Sequence, residues 1–131
     1  LYLPIQVGAA NASSAIPGMQ PDNAGENISD RNFSFCELSA QYWAWKNLDA
    51  DFIGLVHYRR YFTNTNKIPK EENEKFKIVL TQNDAESILE NADVILPKKR
   101  NYYIENLYSH YEHTMYVEPL DETRKIIEEK K

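Results

Sequence analysis

The residues best suited to chemistry sit at two places in this chain of 131 residues. His57, Tyr58, Arg59, Arg60 and Tyr61 directly follow the apolar run Phe52-Ile53-Gly54-Leu55-Val56, and Lys98, Lys99 and Arg100 directly follow Asp93-Val94-Ile95-Leu96-Pro97. Arg makes forked contacts with phosphate and Lys supplies a compact point charge, so these cations brought to one place would hold a small anion. Tyr58, Tyr61, Tyr102 and Tyr103 interleave with the bases, offering rings to stack on a nucleobase or sugar and hydroxyls to donate. His57 suits a general base or a donor to phosphate, and suits equally a satisfied core histidine. Arg59 and Arg60 also have a structural reading, as ion pairs with Asp49, Asp51 or a glutamate, and pattern alone leaves both open.

The elements that must position these groups follow from periodicity. Phe52–Val56 and Asp93–Pro97 are short, apolar and β-branched, which predicts strands buried on both faces. A helix is predicted before each, over Phe35–Leu48 with Trp43 and Trp45, and over Asn83–Asn91. Two helix-then-strand units predict βαβ construction with both cationic ends at one sheet edge, where open α/β sheets bind ligands. Ser34 and Glu37 have the S-x-x-E spacing of a capping box, which assigns Glu37 to a helix cap before catalysis. Leu38, Tyr42 and Trp45 share one helix face and Cys36, Ala40, Trp43 and Asn47 another, predicting a helix sandwiched between layers. Cys36 is the single cysteine, so no internal disulfide forms; it is expected as a small buried hydrophobe in a reducing compartment.

The remaining segments are read more coarsely. Leu1–Ala10 is expected to be extended, residues 11–30 a long loop without secondary structure, 64–75 a solvated loop and Phe76–Leu80 a short strand. Residues 101–115 are aromatic and helical in pattern, and Pro119 opens a last helix toward Lys131. His110 and His113 stand three apart and can share a helix face toward a metal, but without a third ligand the structural reading is the stronger. The net charge of -5 and pI near 5.2 argue against a general nucleic-acid binder. No run is long enough to span a bilayer, and no signal peptide or lipidation motif is present, so a cytoplasmic protein is expected. G-x-G-x-x-G, P-loop, C-x-x-C and G-x-S-x-G patterns are missing, against Rossmann dehydrogenases, P-loop NTPases, zinc ribbons and serine hydrolases. The chain begins inside an apolar segment without Met and ends inside a charged helical run, as a piece of a longer protein would.

Asn27-Ile28-Ser29, Asn32, Phe35-Cys36-Glu37-Leu38, Tyr42-Trp43-Ala44-Trp45-Lys46-Asn47, Ile53-Gly54-Leu55 and His57-Tyr58-Arg59-Arg60-Tyr61-Phe62 together resemble a bacterial domain family catalogued as of unknown function. Asp93–Tyr103 and Leu107-Tyr108-Ser109-His110-Tyr111 extend the resemblance over nearly the whole chain. That family occurs in capsular and exopolysaccharide gene products and is regarded as glycosyltransferase-like; its pattern begins with a strand before Leu1 and often carries a further histidine near Met115. The resemblance implies a GT-A-like, Rossmann-type α/β fold with a mostly parallel sheet, present here as a single partial domain over 1–131. It implies transfer of a sugar from a nucleotide-sugar donor to a growing capsular, exo- or lipopolysaccharide, on a polysaccharide or lipid-linked acceptor at the inner face of the membrane. On that basis Arg59 and Arg60, with His57, would act on the leaving diphosphate, and Asp22, Asn23, Asn27, Tyr58, Lys98 and Lys99 would contact the donor. Many GT-A enzymes hold the diphosphate with a divalent cation, manganese or magnesium. The nearest Asp-x-Asp here, Asp49-Ala50-Asp51, precedes the predicted strand where such a motif would follow it, so no metal ligand is assigned; a divalent cation stays open, and the protein's own cations can take that place. The alternative is a non-catalytic nucleotide- or carbohydrate-binding module of a larger synthesis protein.

Overall fold

A computed structural model describes residues 1–99 and 101–130, so Arg100 of the second cationic run and the terminal Lys131 lie outside the described residues. The single domain expected over 1–131 is built as two compact units, Leu1–Ile95 and Leu96–Lys131.

The first unit is mixed α/β, with a small parallel sheet, as the expected class requires. Strand β1, Ile5–Gln6, pairs with β2, Gln20–Pro21, in the register Ile5 to Gln20 and Gln6 to Pro21. β2 falls inside the stretch expected to lack secondary structure. Pro21 is tolerated there because the ladder takes its donors from the flanking residues: Gln20 N–H reaches Pro4 O at 2.9 Å and Asp22 N–H reaches Gln6 O at 3.1 Å. The buried Gln6 side chain clips the intervening loop, donating to Ser14 O at 3.0 Å and accepting from Ile16 N–H at 2.7 Å.

The two strands predicted to carry the bases are not formed among the described residues. Phe52–Val56 takes no regular structure and pairs with no neighbour among the described residues, and Phe52 and Leu55 are exposed. Apolar β-branched residues favour an extended backbone, yet a strand exists only where a second backbone meets its donors and acceptors. Asp93–Pro97 likewise forms no strand, and the division between the two units falls within it, after Ile95. Phe76–Leu80, expected as a strand, begins as a 3₁₀ turn over Phe76–Ile78; its extended end keeps one bridge, Val79 with Thr63, and the Leu80 N–H to Phe62 O bond of 2.8 Å.

The predicted long first helix is also interrupted. A 3₁₀ turn over Ser29–Arg31 leads into α1, Asn32–Phe35; the chain breaks at Cys36, where φ is 46°, and α2 runs Leu38–Asn47. The Ser34–Glu37 capping box therefore does not form, since Glu37 precedes α2 and no side chain caps it. Cys36 is exposed, not buried, because the break turns it outward. Ser39, Ala40, Trp43 and Ala44 are buried while Leu38 and Trp45 are exposed, so α2 buries one face instead of being sandwiched. Lys46 lies over the exposed Trp45 ring at 3.9 Å, covering apolar surface with a cation.

After the polar loop comes the short α3, Glu72–Lys75, and then α4, Gln82–Leu89, close to its predicted span. Thr81 and Asp84 form its capping box, each side chain bonded to the other's backbone N–H, and the hydrogen bonds from Thr81 hold the Asp84 carboxyl below its ordinary pKa. In the second unit α5, Leu107–Thr114, is capped by an Asn106–Ser109 box, and Tyr108 Oη donates to Asp121 of α6, Glu118–Glu129, at 3.1 Å. Pro119 sits in the first turn of α6 as expected.

Candidate functional site

Asp22 is the hub of the first unit. It has no exposed surface, and its carboxylate accepts four hydrogen bonds: from Gly8 N–H at 3.0 Å, Ala9 N–H at 2.9 Å, Ser29 Oγ at 2.5 Å and Ser39 Oγ at 2.7 Å. Burial pushes its pKa up, but the bonds from Ser29, Ala9, Ser39 and Gly8 prevail and hold it below the ordinary carboxylate value. The expected donor contact by Asp22 is therefore replaced by a structural role, because every acceptor direction is met by the protein. Gly8 is required at its place: φ is 65°, and a Cβ there would come within 2.7 Å of Asn32 Oδ1.

The network continues to the helix break. Ser39 Oγ accepts from Asn32 Nδ2 at 3.1 Å, and the same amide donates to Cys36 O at 2.7 Å. The left-handed Cys36 is thereby fixed by a buried carboxylate two residues removed in the bonding chain. Downstream of Asp22 the loop is strapped to α2. Trp43 Nε1 donates to Ala24 O at 2.8 Å, Asn47 Nδ2 to Glu26 O at 2.8 Å, and Tyr42 Oη to the Glu26 carboxylate at 2.9 Å. Asn27 is consumed within the loop, donating to Asn23 O and Gly25 O and accepting from Ser29 N–H. It too holds the loop in shape. Asn23 is exposed, and of the three loop residues expected at a donor it alone has a side chain without a protein partner among the described residues.

Beside this scaffold lies a cavity of about 760 Å³, within the size range of small-ligand sites. Its wall is mostly aliphatic, with Asn32, Glu37, Gln41, His57, Tyr58 and Asp93 as the main polar contributors. His57 to Arg60 forms a tight turn closed by Arg60 N–H to His57 O at 2.9 Å. The bases are thus presented on a turn and not at the end of a parallel strand. The His57 ring rests against Tyr58 at 4.3 Å, and the Arg59 guanidinium stacks over Tyr58 at 4.8 Å. Arg59 and Arg60 are exposed, and neither meets a carboxylate among the described residues, which removes the ion-pair alternative. Glu37, assigned to a helix cap by spacing, instead places Oε1 3.5 Å from His57 Nε2. No signal in a single sequence separates that role from a cap; the break at Cys36 decides it.

Lys98 and Lys99 are exposed and belong to the second unit. There His110 and His113 both turn Nδ1 toward Glu105, at 3.0 and 2.7 Å, and these bonds hold the Glu105 carboxyl below its ordinary pKa. Tyr102 stacks on His110 at 4.2 Å. Among the described residues no three His, Cys, Asp or Glu groups are placed to hold a metal ion, and no helix is long and apolar enough to cross a membrane.

Comparison with curated proteins finds no match. Among solved structures the chain is similar to one described as the WbbM bifunctional glycosyltransferase in its apo form, with 36% identity and a TM-score of 0.67 over 84% of this chain. The chain spans 22% of that structure's length, and the likeness agrees with the GT-A-like α/β class. Residues 1–131 match a family described as Domain of unknown function (DUF4422), and the chain belongs to that family.

Proposed function

We propose that this chain is a glycosyltransferase domain that moves a sugar from a nucleotide-sugar donor to a growing capsular, exo- or lipopolysaccharide. Likeness to part of a bifunctional glycosyltransferase supports the reaction class. The observation that carries the reading is the turn on which His57 and Tyr58 line a cavity and are followed by two guanidiniums with no carboxylate partner among the described residues. Exposed guanidiniums are free to meet an anion, and a diphosphate gains negative charge as the glycosidic bond to it breaks. Arg59 and Arg60 meet that charge, His57 lines the cavity beside them, and Tyr58, backed by Arg59, offers a ring for the base or sugar. Asn23 contacts the donor's ribose or sugar from the loop that Asp22 and Asn27 hold in shape. Lys98 and Lys99 add exposed positive charge in the second unit, open to phosphate there. A lipid-linked or polysaccharide acceptor at the inner face of the membrane suits this chemistry.

A thermal-shift panel of UDP-, GDP-, CMP- and dTDP-sugars, with and without manganese, tests the reading. One donor class should raise the melting temperature, and the protein should release the nucleotide from it over time. Stabilisation without release would favour the binding-module alternative, and no stabilisation by any donor would overturn both.

A further inference from the structure

We propose that Glu37 is the catalytic base of this domain, held in the cavity by His57 and aimed there by the strained break at Cys36; this rests on the glycosyltransferase reading above. Two carboxylates, Glu37 and Asp93, line the cavity, and of these only Glu37 is oriented by a partner. His57 Nδ1 accepts the Arg59 N–H at 3.4 Å, which leaves its proton on Nε2, the nitrogen facing Glu37 Oε1 at 3.5 Å. The two stand at ion-pair distance without a formed hydrogen bond, as pairs awaiting a substrate often do. Oε2 has no partner among the described residues, so one oxygen faces His57 and the other is open to an incoming hydroxyl.

The backbone supplies a second, independent observation. Cys36 takes φ 46° without being glycine, and the buried Asp22 and Ser39, with the half-buried Asn32, hold that conformation from behind. A helix continued from Asn32 through Cys36 would leave Glu37 as an ordinary interior residue. Strain maintained by a buried network immediately before a cavity carboxylate is the pattern of a positioned functional group.

In the step, the acceptor hydroxyl gives its proton to Glu37 as its oxygen forms a bond to the anomeric carbon. The bond from that carbon to the diphosphate oxygen breaks, and its electron pair leaves with the nucleotide, toward Arg59 and Arg60. Both events occur on opposite faces of the sugar, so the anomeric configuration inverts.

The test compares wild type with Glu37→Gln using the donor found in the panel, with water and then sodium azide as acceptor. Nucleotide release to water should fall by about a hundredfold or more, while the donor dissociation constant changes less than threefold. Azide, already an anion, needs no base and should restore release and yield a glycosyl azide of inverted configuration; a merely structural glutamate would show no such rescue. Release within threefold of wild type, or a loss that azide does not restore, would overturn the role of Glu37 alone. A wild-type protein that binds and cleaves no donor would overturn the underlying reading as well.

Discussion

Replacing Asp22 by Asn removes one charge and keeps the shape, which makes it the sharpest probe of the scaffold. The carboxylate receives backbone N–H groups on both oxygens, Gly8 on Oδ2 and Ala9 on Oδ1. An asparagine amide must turn its NH₂ toward one of them, setting donor against donor in a fully buried place. The Ser29 and Ser39 hydroxyls can rotate, but a backbone N–H cannot. One buried donor left unmet costs about 1–3 kcal/mol, and the other bonds lose their charge assistance, so about 3 kcal/mol in total is expected. Against a typical stability of about 5–15 kcal/mol this is a large fraction, and for a chain of this size it corresponds to a melting temperature lower by about 10 °C. Urea titration should show a lower midpoint with an unchanged slope. The pH dependence has a definite sign. The folded pKa lies below the ordinary 3.8, so the unfolded chain binds the proton more readily. The stabilisation is complete above the unfolded value and is lost as pH falls through the folded one. Asp22→Asn should therefore flatten acid unfolding below about pH 4. A change under about 0.5 kcal/mol would refute the hub role, since that is the size expected of an unremarkable surface substitution.

Gly25 has φ 64° and stands against the Asn47 side chain, so Gly25→Ala should destabilise by about 1–3 kcal/mol, read by thermal unfolding. Cys36→Gly should leave stability equal or raised by up to about 1 kcal/mol, because glycine relieves the left-handed strain, whereas Cys36→Val should lower it. Trp43→Phe keeps the ring in the core but leaves Ala24 O unpaired, and should cost about 1–2 kcal/mol in the same assay.

What the sequence made legible was local. The Asn83–Asn91 pattern gave a helix whose Thr81–Asp84 box lies one turn ahead, and Pro119 marked the start of the last helix. The α/β class and parallel pairing were also readable, though not their location. Phe52–Val56 satisfied every local rule for a strand and failed for want of a hydrogen-bonding neighbour, which composition cannot reveal. Asp22 was picked out, but for the wrong contact. A loop aspartate between Pro and Asn looks available to a ligand until Gly8, Ala9, Ser29 and Ser39, far apart in sequence, converge on it. Glu37 was hidden by a spacing that genuinely favours a cap, overridden by the break at Cys36, whose carbonyl the Asn32 amide holds. Arg59 and Arg60 were visible from the start as unneutralised charge.

That charge also gives the most direct measurement. Calorimetric titration of the stabilising nucleotide-sugar into wild type and into Arg59→Ala/Arg60→Ala reads the proposed diphosphate contact without requiring turnover. Charged hydrogen bonds of about 1.5–3 kcal/mol each predict binding weakened at least tenfold in the double variant, with unfolding temperature unchanged. Equal affinity in the two proteins would contradict the account, because the diphosphate would then be held elsewhere.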